Sequence, residues 1–104
     1  MKNKEEYLDI LRKIDSKPDI SQRRLARELK FSLGKLNYCI KALRNKGLIK
    51  IENFEKNPKK LKYIYILTPK GIKKKTLLTI NFIKVKMKEY EKLKKELKKI
   101  NKHV

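Results

Sequence analysis

Apolar residues recur at helical spacing through the first third of the chain. Tyr7, Leu8, Leu11 and Ile14, with Ile10 beside them, form one stripe and predict a helix over 4–15. Lys17-Pro18-Asp19 breaks it, and Asp15 and Asp19 read as residues flanking helix ends. Ser21 is placed to cap a second helix, 21–29, with Ile20 and Leu25 at the two positions of a hydrophobic staple. Leu25, Ala26 and Leu29 are its inward face. Ser32 caps a third helix, 32–46, and Gly47 ends it in the left-handed conformation. On a helical wheel Leu33, Leu36, Ile40 and Leu43 share one side of the third helix, with Cys39 at its flank.

The period then changes. LIKIENF (48–54) and LKYIYIL (61–67) are rich in Ile, Tyr and Phe and are separated by polar EKNPKK, which predicts two strands joined by a long loop. Thr68-Pro69 is a helix start, and nothing after Gly71 stops that helix before about residue 100. Along it Ile80, Ile83, Met87, Tyr90, Leu93, Leu97 and Ile100 make a seam, and Leu78, Phe82 and Val85 add a second stripe to the first half, which is therefore expected to be buried on two sides. The expected fold is mainly α with a small β-hairpin: a winged helix-turn-helix domain over 1–68, wing at 48–67, then a long C-terminal helix over 69–104. So long a helix cannot hide its seam against so small a domain. A homodimer through Tyr7, Leu8, Leu11, Ile80, Ile83, Met87, Tyr90, Leu93 and Leu97 is therefore expected, the rival being an intramolecular return of this helix onto the first.

Charge sharpens the picture. The 104 residues carry a formal +20 from 31 Lys and Arg against 11 acids, a field that draws phosphate-rich polymers. The excess grows along the chain, from about +3 over 1–31 to +7 over 32–62 and +10 over 63–104. With one Cys, one His (His103) and no glycine-rich phosphate loop, the chain has the makings of neither a metal site nor an enzyme, and no cofactor is expected. A single cysteine allows no internal disulfide, and Cys39 reads as a small core filler. No apolar run approaches a membrane span and MKNKEEYLDI lacks a hydrophobic signal region, so a cytoplasmic, nucleoid-associated protein with no membrane partner is expected.

The outer face of the third helix is where double-stranded DNA would be read. Ser32, Gly34, Lys35, Asn37, Tyr38 and Lys41 offer hydroxyl, bare backbone, amide, phenol and ammonium. Asn37 suits adenine, the lysines suit guanine or phosphate, and Tyr38 suits a phosphate or a thymine methyl. Ser21, Gln22 and Arg23 on the second helix, where three of the five arginines fall, suit phosphates. Lys56, Asn57, Lys59, Lys60 and Lys62 around Pro58 suit a wing on the backbone or in the minor groove. Two other readings are open: a sequence-indifferent basic nucleic-acid binder, and a winged-helix protein-interaction module.

With SLGKLNYCIKAL and YILTPKGI in place, the stretch from Ile20 to Leu97 resembles the EPS-associated (exopolysaccharide) group of MarR-family winged helix-turn-helix transcriptional regulators. The resemblance implies a small dimeric transcription factor tied to exopolysaccharide genes. It does not imply a small-molecule effector, because this chain is shorter than typical MarR proteins. It departs from the pattern at Lys30, where the inter-helix turn often has Gly. Lysine there must either accept positive φ or adopt a different turn.

Overall fold

The computed structural model describes residues 2–54 and 62–103, and its elements run α1 (Lys2–Ser16), α2 (Gln22–Leu29), α3 (Leu33–Asn45), β1 (Ile49–Phe54), β2 (Lys62–Leu67) and α4 (Pro69–His103). This is the mainly helical, winged helix-turn-helix architecture with one antiparallel hairpin and a long last helix. Ser21 and Ser32 sit in extended backbone as N-caps, their hydroxyls accepting from the Arg24 and Lys35 amides at 3.2 and 3.1 Å. Each satisfies one of the amides a helix start leaves without a partner.

Both helix ends are closed in the same way. After α3, Gly47 takes φ 73°, the Leu48 amide donates to Leu43 at 3.0 Å, and the Gly47 amide donates to Arg44 at 2.9 Å. After α2, Phe31 donates to Ala26 at 2.8 Å and Lys30 to Arg27 at 3.2 Å. The left-handed position there is filled by Lys30, with φ 59°. Of the two options open to Lys30, the fold takes positive φ, because the turn must deliver Phe31 to the core within one residue. Left-handed backbone costs a β-carbon-bearing residue about 1–2 kcal/mol. Lys30→Gly is therefore expected to stabilise the domain by about 1 kcal/mol in urea denaturation, since Lys30 is exposed. A loss of stability would mean the side chain contributes.

The core gathers Leu8, Ile10, Leu11 and Ile14 of α1, Leu25 and Ala26 of α2, and Leu36, Cys39, Ile40 and Leu43 of α3, together with Ile20, Leu48, Ile49, Tyr65 and Leu78. β1 and β2 pair from Ile49↔Leu67 to Phe54↔Lys62. Alternation turns Ile49, Ile51, Tyr65 and Leu67 inward and leaves Lys50 and Glu52 outside, paired at 3.4 Å. The Pro18 carbonyl accepts from the Tyr65 amide at 3.0 Å, tying the α1–α2 connection to the hairpin. Glu28 gathers Lys13, Lys17 and Arg24 at 3.7, 3.5 and 3.7 Å across α1 and α2. Partial desolvation pushes the Glu28 carboxyl up, but the three cations outweigh it and hold it below its ordinary value.

Two packing expectations are corrected. Leu33, assigned to the inner face of α3, is 44% exposed: it is the first residue of the helix, with no preceding turn to cover it. The first half of α4 is buried on one side only. Leu78 is in the core and Phe82 packs against it, whereas Ile80, Ile83 and Val85 are exposed. From Ile83 to Lys102 every residue is exposed, so α4 leaves the domain there and stretches the molecule to 69 × 26 × 21 Å.

The start of α4 is held more closely than its capping signal suggests. Thr68 Oγ1 donates to the Gly47 carbonyl at 2.6 Å, lies 3.1 Å from the Leu48 carbonyl, and accepts from the Gly71 amide at 3.0 Å. The Thr68 amide also donates to Leu48 at 3.0 Å. One threonine thus joins the α3–β1 turn to the first turn of α4.

Candidate nucleic-acid interface

α3 is anchored by Leu36, Cys39, Ile40 and Leu43 underneath, and its two flanks are also occupied. Towards α1, Lys35 pairs with Glu6 and lies 4.5 Å from the Phe31 ring centroid, and Lys46 lies 5.1 Å from that of Tyr7. Burial pushes the Tyr7 phenol up, and negative charge on Cys39, Tyr38 and Glu6 would push it the same way. On the other flank, burial raises the Tyr65 phenol while a hydrogen bond with Gln22 and the nearby Arg44 charge oppose it. What remains is a strip facing solvent: Leu33, Gly34, Asn37, Tyr38, Lys41 and Asn45, all exposed.

The residues singled out in the sequence therefore divide. Gly34, Asn37, Tyr38 and Lys41 share the open strip, with Ser32 capping its near end and Ser21 and Arg23 exposed at the start of α2. Lys35 is drawn to the α1 side by Glu6, and Gln22 is exposed at the start of α2 beside Ser21 and Arg23. Lys35 is therefore not a free reading residue in this conformation. Lys56, Asn57, Lys59 and Lys60 lie outside the described residues, and Lys62 opens β2 opposite Phe54. Arg23, Arg27 and Lys41 make no ion pair among the described residues, so their charge is available to an anionic partner.

Leu33 is the residue on this strip that periodicity missed. The signal was its place immediately after the N-cap, where side chains lack a turn to pack on.

Cys39 is buried and its thiol is pushed up, first by burial and then by Glu6, against a smaller opposing effect of Lys35. It stays a protonated thiol at neutral pH, as a filler should. Among the described residues no three His, Cys, Asp or Glu side chains are placed to hold a metal, and no helix is long and apolar enough to cross a membrane.

Gly34 has no reason for being glycine within the chain. A β-carbon there would meet nothing within 4 Å, and its φ is not left-handed. Glycine inside a helix costs about 1 kcal/mol relative to alanine. Gly34→Ala is accordingly expected to stabilise the fold by about 1 kcal/mol while weakening whatever approaches α3. Melting temperature and ligand affinity moving in opposite directions would show it; equal or better affinity would put the approach elsewhere.

A family described as winged helix-turn-helix DNA-binding matches residues 8–50, the span from α1 into β1. No curated protein matches the chain by sequence. Among solved structures, Staphylococcus aureus MarR in complex with salicylate and kanamycin is 21% identical with a TM-score of 0.62, covering 83% of this chain and 56% of its own. The S. aureus MepR–DNA complex is 20% identical with a TM-score of 0.65, covering 91% and 73%. Streptococcus pneumoniae FabT in complex with DNA is 22% identical with a TM-score of 0.62, covering 84% and 59%. The fold is thus that of MarR-type regulators, and the chain spans little more than half the length of the MarR and FabT structures.

Proposed function

We propose that this chain is a sequence-specific, double-stranded DNA-binding transcriptional regulator of the MarR type. The observation that carries the reading is the open strip of α3 around Gly34, inside a winged helix-turn-helix frame whose core takes up the opposite face of that helix through Leu36, Cys39, Ile40 and Leu43. In this reading the N-terminal half of α3 lies in the major groove, Asn37 and Lys41 address base edges, and Ser21, Arg23 and Ser32 hold phosphates. The lysine-rich loop between β1 and β2 follows the backbone or the minor groove. MepR and FabT, with the same fold, were solved with DNA.

The chain acts as a homodimer, with the exposed seam of α4 as its interface and Tyr7, half-buried, at the margin. Leu8 and Leu11, expected in that interface, are 4% and 0% exposed in the chain's own core and have no surface to offer a second copy. A two-fold dimer sets two α3 helices on a pseudo-palindromic site. The resemblance noted above makes exopolysaccharide genes the first targets to examine.

The test is fluorescence anisotropy on DNA from upstream of the gene and on shuffled DNA, between about 50 and 200 mM salt. A preference of roughly 10³ or more that survives the higher salt is expected. Equal affinities that fall together would leave a sequence-indifferent basic binder. Asn37→Ala should cost about 1–3 kcal/mol on the preferred site and much less on random DNA. Equal losses on both would remove Asn37 from base reading.

A further inference from the structure

The large exposed apolar side chains of the described residues fall in two places. Ten of the twelve run along α4 from Ile72 to Ile100. The other two are Leu33, 44% exposed, and Tyr38, 72% exposed, and both stand on the open strip of α3. A single exposed leucine means little on any surface. Here, though, the other large apolar side chains described ahead of α4 are covered or half-covered, and the two exceptions among them flank the helix stretch where Gly34 leaves the backbone bare. The cations Lys41 and Arg23 and the amide of Asn37 surround them, so the occupant is polyanionic overall and apolar in patches. Among the groups displayed in the major groove of a duplex, the apolar one is the C5-methyl of thymine.

We infer that Leu33 and Tyr38 read thymine methyl groups, making methyl contact part of this protein's sequence selection. The inference rests on the placement of α3 in the major groove argued above. Leu33 and Tyr38 are five residues apart, about 7.5 Å along the helix axis. They also lie about 140° apart around the helix, so they meet different base pairs, and each half-site carries thymines near the adenine addressed by Asn37. Leu33 sits in the first turn, beside Gly34, where the helix comes nearest the floor of the groove. Tyr38 lies about 1.4 turns further along, its ring offering an apolar face.

The experiment uses the full chain and a duplex selected for it from a random pool. Each thymine in turn is replaced by deoxyuridine, which removes the methyl and nothing else. At one or two positions per half-site affinity should fall about fourfold, the value of one buried methyl-sized group at about 0.8 kcal/mol. Leu33→Ala should abolish the effect at one of these positions and Tyr38→Ala at the other. Both side chains are exposed, so the fold should be kept, which far-ultraviolet circular dichroism would verify. Tyr38→Phe should keep its sensitivity, because packing on a methyl does not need the hydroxyl. Indifference to deoxyuridine at every thymine, with sequence preference intact, would overturn the methyl contact and leave the regulator reading standing. Loss of sensitivity in Tyr38→Phe would overturn the role given to Tyr38. Selection that enriches no sequence at all would overturn both this inference and the reading beneath it.

Discussion

Gly71→Ala is expected to cost the domain about 4 kcal/mol or more, most of what a small domain has to lose. A β-carbon at Gly71 would fall 1.9 Å from the Leu48 carbonyl oxygen and 2.9 Å from its carbon, with Leu67 Cδ2 at 3.2 Å. The obstacle is backbone, which no rotamer change relieves. α4 would have to retreat from the α3–β1 turn, and the bonds from Thr68 to Gly47 and Leu48 would go with it. Leu78, further along α4, would leave the core as the helix tilted. Urea unfolding followed by circular dichroism measures the effect, with Gly34→Ala as the contrasting substitution. The same chemical change at two helical glycines should then move stability in opposite directions. A cost at Gly71 below about 1 kcal/mol, an ordinary surface effect, would mean that α4 starts further from Leu48.

Leu93→Glu with Leu97→Glu is expected to leave the winged domain folded and to abolish dimerisation. Neither residue touches the core, and Leu93 and Leu97 are 62% and 57% exposed in the isolated chain. A solitary helix in water is marginal even when well composed, and residues 83–102 have no partner in their own domain. Sedimentation velocity should find the parent chain at twice its 12.5 kDa and the variant at the monomer mass. Affinity for the preferred site should fall by about 100-fold or more, since the second half-site would no longer be held at high effective concentration. Nine lysines and three glutamates line residues 84–102, so the paired helices repel. Salt should therefore strengthen the dimer by screening while weakening DNA binding by counterion competition. A parent chain that is monomeric at every salt concentration would remove the dimer and leave the DNA face of α3 untouched.

The capping residues and the period of the apolar positions carried much of the architecture. Ser21, Ser32, Gly47 and Thr68-Pro69 act locally, through bonds to backbone three or four residues away, so their effect was legible before any packing was known. The change from helical to alternating spacing at Leu48 was legible for the same reason. The open strip of α3 was partly legible. Asn37, Tyr38 and Lys41 follow from a helical wheel, which assumes only that one side is covered.

What neighbouring elements impose was not legible. Whether Lys35 faces a partner or Glu6 depends on where α1 passes, and the Pro18 carbonyl meets the Tyr65 amide only because the hairpin returns to the α1–α2 connection. Leu33 has an apolar neighbourhood in sequence and an open one in space. Leu8 and Leu11 belong to a stripe that periodicity marks as buried without saying by what. Gly71 served in the sequence only to mark where the unbroken part of the helix begins, yet it is the point where α4 meets the Leu48 carbonyl. Local hydrogen bonding and periodicity are properties of short stretches and survive in the one-dimensional string. Close approach, ion pairing and the choice between core and interface depend on distances between residues far apart in the chain, and those exist only once the helices have packed.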